Sequence, residues 1–246
     1  MTASVGWVTA MLDSPPETAR SSEEFWAAVT GTRLSARRGD RAEFATLLPA
    51  DGDPFLKVQE VVQSLPGALH LDIHTDDVRG LAERAEQLGA STSYHVYGYV
   101  LCGSPGGMTF CIMGHPGRRR PPAYVWSGGR SIVDQVCLDI APRLYDAECD
   151  FWSRLTGWER YDGGSDEFDR LRRPDGIPLA FLLQRLDDEQ ATVTAHLDLA
   201  CDDRDAEAQR QEQLGALLVR RTPGWTVMQD PAGRTYCNTG RAPGAV

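Results

Sequence analysis

The stretch LHLDIHTDD, residues 69–77, returns as AHLDLACDD at residues 195–203. A shift of 126 positions aligns far more than these nine residues. Phe25-Trp26 falls on Phe151-Trp152, Thr30-Gly31 on Thr156-Gly157, and Leu88-Gly89-Ala90 on Leu214-Gly215-Ala216. Pro105 meets Pro231, Gly107 meets Gly233, and Thr109-Phe110-Cys111 meets Thr235-Tyr236-Cys237. A constant offset over so many landmarks marks one unit written twice, each copy of ordinary domain size. The expected division is a first domain at 1–114, a linker at 115–131 and a second domain at 132–246.

At 246 residues, 41% of them apolar, the chain has material for a core in each copy. Its net charge of -10 repels a polyanion, which argues against nucleic acid and leaves a small molecule as the expected partner. No apolar run approaches the roughly 18 to 20 residues that span a bilayer, so no membrane partner and a cytoplasmic location are expected. The six cysteines form no CxxC pair and read as free thiols. No GxGxxG, P-loop, HExxH or GxSxG signature occurs, which excludes the common nucleotide, zinc-protease and elbow-hydrolase sites.

Within each copy the pattern is strand, helix, strands, and then the same again. Residues 5–13 read as a strand. Ser21 and Glu24 read as a capping box opening a helix that stops at Gly31, and strands follow at 42–48 and 54–61. LHLDIH begins the second round, with Asp77 capping a helix whose Val78, Leu81, Ala82, Ala85 and Leu88 keep helical spacing. Strands are expected near 94–101 and 108–113. In the second copy Arg204, Glu207 and Gln211 replace Val78, Leu81 and Ala85, so that helix either shifts its register or is largely solvated. The Pro-, Gly- and Arg-rich segment 115–131, with Arg118 to Arg120 at its centre, reads as a solvated linker.

Strand alternation sends His70, Asp72 and His74 to one face of LHLDIH and Leu69, Leu71 and Ile73 to the other. The second copy repeats this with His196 and Asp198, while Ala200 stands in place of the second histidine. A histidine of near-neutral pKa beside a carboxylate suits a general base or a hydrogen-bond donor, with His70 oriented by Asp72 or paired with His74. Tyr97 and Tyr99 alternate onto one face, Tyr99 aligns with Trp225, and Trp7 lies on the opening strand, so aromatic surface is expected beside the polar groups.

The motifs HLDIHTDD, LGA and SPGGMTFC, answered by HLDLACDD, LGA and DPAGRTYC, resemble the glyoxalase/bleomycin-resistance group of the vicinal oxygen chelate superfamily. The resemblance covers nearly the whole chain. It implies an α+β fold of two tandem domains, each of paired βαβββ modules forming a curved sheet around a cavity. It also implies metal-ligand positions, which fall on Trp7, Gln59, His70 and Cys111 in the first copy and on Val133, Gln184, His196 and Cys237 in the second. Trp7 and Val133 cannot coordinate. A metal-free cavity that binds an organic, aromatic or antibiotic-like molecule is therefore expected. The alternative is an isomerase or lyase using His70 as base, or a metal-dependent lyase or dioxygenase whose zinc, iron or manganese sits on His70, Gln59 and Cys111. Because the tandem copy can satisfy module pairing internally, monomer and homodimer both stay open.

Overall fold

A computed structural model describes residues 3–62 and 68–244. The first copy runs β1 (Trp7–Ser14), α1 (Pro16–Thr30), β2 (Arg33–Leu34), β3 (Phe44–Leu48) and β4 (Leu56–Glu60). It then repeats that order as β5 (Leu69–His74), α2 (Val78–Gln87), β6 (Ser91–Tyr94), β7 (Val100–Gly103) and β8 (Thr109–Met113). After a short β9 (Tyr124–Trp126), the second copy gives β10 (Gly129–Ile140), α3 (Tyr145–Thr156), β11 (Arg160–Ser165), β12 (Phe168–Leu171) and β13 (Ala180–Arg185). It closes with β14 (Thr194–Cys201), α4 (Arg204–Gln213), β15 (Leu217–Arg221), β16 (Trp225–Gln229) and β17 (Thr235–Thr239). Each copy therefore contains two βαβββ modules. Eight strands order as β2-β3-β4-β1-β5-β8-β7-β6 and nine belong to a second sheet, β11-β12-β13-β10-β14-β17-β16-β15 with β9 on β10. The α+β class and the paired modules are as the sequence implied.

The opening phrase forms β5, which runs parallel to β8 and pairs Leu71 with Phe110, Asp72 with Cys111 and Ile73 with Ile112. Its echo forms β14, pairing Leu197 with Tyr236 and Asp198 with Cys237. Both are crossover pairs, which need a helix-length connection between parallel strands. The Asp77 side chain caps α2 as expected, accepting from the Gly80 N–H at 2.8 Å.

Four expectations differ from the structure. Helix α1 starts at Pro16, whose missing N–H suits a first-turn position, while Ser21 donates to the Thr18 carbonyl in mid-helix. The aromatic run at 94–101 is a hairpin turn rather than a strand. His95 N–H donates to Tyr99 O, Gly98 N–H donates to His95 O, and Gly98 takes φ +83, a left-handed value that breaks the strand alternation. The segment 115–131 holds ordered structure, since β9 pairs with Gly129–Ser131 and Arg119 forms an ion pair with Asp51. Finally, α4 neither shifts register nor dissolves into solvent. Glu207 and Gln211 are both fully buried at the positions of Leu81 and Ala85. Glu207 accepts from Ser131, Arg210 and Gln211. Gln211 accepts from the Tyr236 hydroxyl at 3.0 Å and from Asn238 at 2.7 Å. Polar side chains are buried here because each has its hydrogen-bond partners.

The chain folds into two compact units that divide it differently from the two copies. One comprises Met1–Ala10, His70–Arg118 and Val136–Ala195, the other Met11–Leu69, Arg119–Gln135 and His196–Val246. The core of the first gathers Phe110, Phe151, Trp152 and Phe181, with ring centroids 5.1 to 5.9 Å apart for the contacting pairs. The second packs Phe25, Trp26 and Tyr236 in the same way. Such edge and tilted pairs favour their mutual orientation beyond simple area burial.

In each core a buried carboxylate also serves a tryptophan indole, and the two come from different places in the repeat. In the second unit Asp230 accepts from the Trp26 indole at 2.7 Å and pairs at 2.6 Å with Arg234, which is 1% exposed. In the first unit Glu148 accepts from the Trp152 indole at 2.9 Å, from the Gly106 N–H and from Ser104. All of these donors are neutral. Burial pushes the Glu148 carboxyl above its ordinary 4.5, against the pull of Gly106, Ser104 and Trp152. The folded state thus holds this proton to higher pH than the unfolded chain does. The stability Glu148 contributes is full below 4.5 and is lost as pH rises through the raised value. Glu148→Gln is therefore expected to flatten the fall in unfolding free energy between 4.5 and the raised value, as read from urea titrations at a series of pH values. Parallel curves for the two proteins would contradict it.

Candidate functional site

Strand β5 carries His70, Asp72 and His74 on one face, and the register of β8 sets Cys111 beside Asp72. This face is itself buried: Asp72 is 1% exposed and Cys111 is buried too. His70 Nε2 lies 3.9 Å from Asp72 Oδ1. One nitrogen of His70, one oxygen of Asp72 and the sulfur of Cys111 all lie within 4.8 Å of one another. The second sheet repeats the cluster as His196, Asp198 and Cys237, again within 4.8 Å, with His196 Nε2 at 3.4 Å from Asp198 Oδ1. Duplication copied residue types; the shared strand register turned them into the same constellation twice.

The other expected site residues fall in different places. His74 is held by Thr9 Oγ1 on Nε2 at 3.0 Å and by the Gly114 carbonyl on Nδ1 at 2.9 Å. Both ring nitrogens are thus engaged in tying strands together. Tyr99 stacks on His95 with ring centroids 4.5 Å apart. Burial, and after it Cys111, Tyr97 and Asp72, raise its hydroxyl above the ordinary tyrosine value. Tyr97 stands at the tip of the hairpin, 80% exposed, so the two tyrosines do not share a strand face.

Trp7 is buried on β1. Gln59, half-buried on β4, belongs to the compact unit that does not contain His70. Gln184 receives the Cys137 thiol at 3.6 Å and donates to Glu167 at 2.6 Å. Trp225 opens β16, half-buried. Val133 is buried and lines an apolar cavity of about 460 Å³, open mouth included, together with Leu47, Phe55, Leu56, Ile132 and Leu199.

Sequence reasoning missed Gln135. Its side-chain amide donates to Asp198 Oδ2 at 2.6 Å, so the second carboxylate is gripped from one side and faces His196 on the other. The signal was present in β10, where Gln135, Cys137 and Asp139 alternate with Val136, Leu138 and Ile140. Gln135 aligns with Thr9, the residue that holds His74 in the first copy.

No helix among the described residues is long and apolar enough to cross a membrane. No curated protein matches the chain by sequence. Among solved structures, the Mn(II)-bound glyoxalase from Novosphingobium aromaticivorans superposes with a TM-score of 0.68 at 17% identity, over 96% of this chain and 82% of that one. A catechol 2,3-dioxygenase gives 0.65 at 14% identity, over 99% and 91%. An extradiol ring-cleaving dioxygenase from B. fuscum gives 0.65 at 13%, over 98% and 73%. At these identities the likeness is one of fold. The sequence model of the glyoxalase-like domain matches residues 10–113 and again residues 135–239. Two matches that together cover most of the chain place it in the glyoxalase-like domain family.

Proposed function

We propose that the protein binds an organic small molecule bearing oxygen functions, with the polar faces of β5 and β14 as its recognition surfaces. The observation that carries this reading is the His–Asp–Cys cluster, present on both strands. His70 supplies a hydrogen bond to a ligand oxygen, and Asp72 favours the imidazole orientation that presents it. Tyr99, stacked on His95, offers an aromatic edge to a flat ligand.

A second reading, turnover of the bound molecule by an isomerase- or lyase-type reaction, draws on the same pair. His70 Nε2 at 3.9 Å from Asp72 can take up a proton that the buried carboxylate then stabilises. His70→Gln separates the two readings. For a binding protein it is expected to weaken a ligand found by thermal-shift screening about tenfold, the order of one hydrogen bond. For an enzyme it abolishes turnover while leaving most of the affinity. A variant with unchanged affinity and unchanged turnover would remove His70 from the site.

A further inference from the structure

We propose that Arg120 is a receptor for one singly charged carboxylate, which makes the ligand of the second compact unit an organic acid. The guanidinium edge formed by Nε and Nη2 is buried, and neither nitrogen has a hydrogen-bond partner among the described residues. Elsewhere in the chain this same edge grips carboxylates. Arg130 donates from Nε and Nη2 to the two oxygens of Asp202, at 2.9 and 3.1 Å. Arg210 donates from the same two nitrogens to Glu207, at 2.8 and 2.6 Å. On Arg120 no protein carboxylate takes the fork. Both nitrogens are covered while the side chain as a whole is half-buried, so rotation about its own bonds brings the fork to an entering anion.

The surroundings explain why the protein does not satisfy this fork itself and which ligand would. Asp134 attracts Arg120 across space, but it is already committed, because Arg241 donates to both of its oxygens at 2.9 and 2.7 Å. Burial pulls the Arg120 guanidinium below its ordinary 12.5; Asp134 opposes this and Arg241 adds to it. Charged donors buried without an acceptor are costly, and an anion arriving with two parallel hydrogen bonds removes that cost. A planar carboxylate matches the fork. Asp198 also acts on Asp134, so two carboxylates and two guanidiniums share this region, and a single added negative charge is repelled less than a phosphate would be. Arg120, Asp134, Asp198 and Arg241 all belong to the second compact unit. Asp134 immediately precedes Gln135, which holds Asp198 beside His196.

Naming the ligand an organic acid rests on the reading above, in which β14 presents its polar face to a small molecule; the anion position at Arg120 does not. Calorimetric titration of the full-length protein with benzoate, and with benzamide as its neutral counterpart, needs no variant. Benzoate is expected to bind at least about tenfold more tightly, since only the carboxylate accepts two charge-assisted hydrogen bonds from the fork. Arg120→Gln is expected to bring benzoate down to the benzamide level, and Arg120→Lys, which keeps the charge and loses the fork, to fall between. Arg119→Gln, the neighbour paired with Asp51 at the surface, is expected to change neither affinity. Circular dichroism checks that these variants fold. Absence of benzoate binding, equal binding of benzoate and benzamide, or benzoate affinity that survives Arg120→Gln overturns the proposal. A neutral phenol that shifts the His196 imidazole signal while benzoate ignores Arg120 removes the proposal and leaves the reading above standing. Benzoate held through Arg120 with His196 unmoved keeps the anion site and removes that reading for β14.

Discussion

Arg234→Met is expected to lower the unfolding free energy by about 4 kcal/mol, because it leaves one member of a buried ion pair without its partner. The Arg234 guanidinium lies at 1% exposure, donating to Asp230, Ser22 and Ser14 and to the carbonyls of Asp13 and Ala68. Removing it strands the Asp230 charge and two carbonyls together. The first compact unit shows what would restore the balance. Its residues at the four equivalent positions are Glu148, Ser104, Gly106 and Met108, and there Glu148 serves the tryptophan indole with no arginine present. Gly106 is required in that arrangement, since a Cβ there would stand 2.9 Å from the Glu148 carboxylate. The combined variant Ser22→Glu, Asp230→Ser, Ala232→Gly, Arg234→Met is therefore expected to recover at least about half of the loss, a coupling that additive effects exclude. Urea unfolding of the single and combined variants checks both parts. A single substitution costing less than about 1 kcal/mol would show that the pair is dispensable.

Glu207→Leu is expected to cost about 3 kcal/mol, although it installs the residue that the first copy uses at the same place. Leu81 is buried on α2, which packs on β8 with Phe110 and Ile112, whereas α4 packs on β17, where the aligned residues are Tyr236 and Asn238. Leucine alone removes the acceptor for Ser131, Arg210 and Gln211, and buried donors left without partners are costly. The set Glu207→Leu, Gln211→Ala, Tyr236→Phe, Asn238→Ile converts the whole interface to the apolar form and is expected to regain most of the stability. Thermal unfolding of the two proteins distinguishes a network from a collection of independent contacts. If the fourfold variant is no better than the single one, the polar residues do not act as a unit.

These residues also show where the sequence was readable and where it was not. The repeat, the strand order within modules and the Asp77 cap were legible because each is local or periodic. The α4 face was not, since a buried Glu207 looks like a solvated one until Tyr236 and Asn238, far along the chain, are seen to meet its neighbour Gln211. The hairpin at 94–101 misled for a local reason. Tyr94, Val96, Tyr97 and Val100 favour strand by composition, but the left-handed Gly98 outweighs them. At the site, alternation correctly placed His70 and Asp72 on one face, whereas it could not reveal that His74 is spent on Thr9 and Gly114. Nor could spacing show Asp72 and Cys111 as direct neighbours, because that follows from the register of two strands. The compact units depend on contacts such as Phe110 with Trp152, which no repeat boundary announces.

The central claim is that the His–Asp–Cys faces of β5 and β14 are the working surfaces. The chain contains five histidines, at 70, 74, 95, 115 and 196, which makes ring-labelled histidine NMR the most direct test. During titration with oxygen-bearing aromatic compounds that bind, the account predicts that the His70 or His196 imidazole signals shift first. His74, locked by Thr9 and Gly114, and the exposed His115 are expected to stay in place. A binding ligand that moves His115 or His74 while leaving both His70 and His196 unperturbed would contradict it.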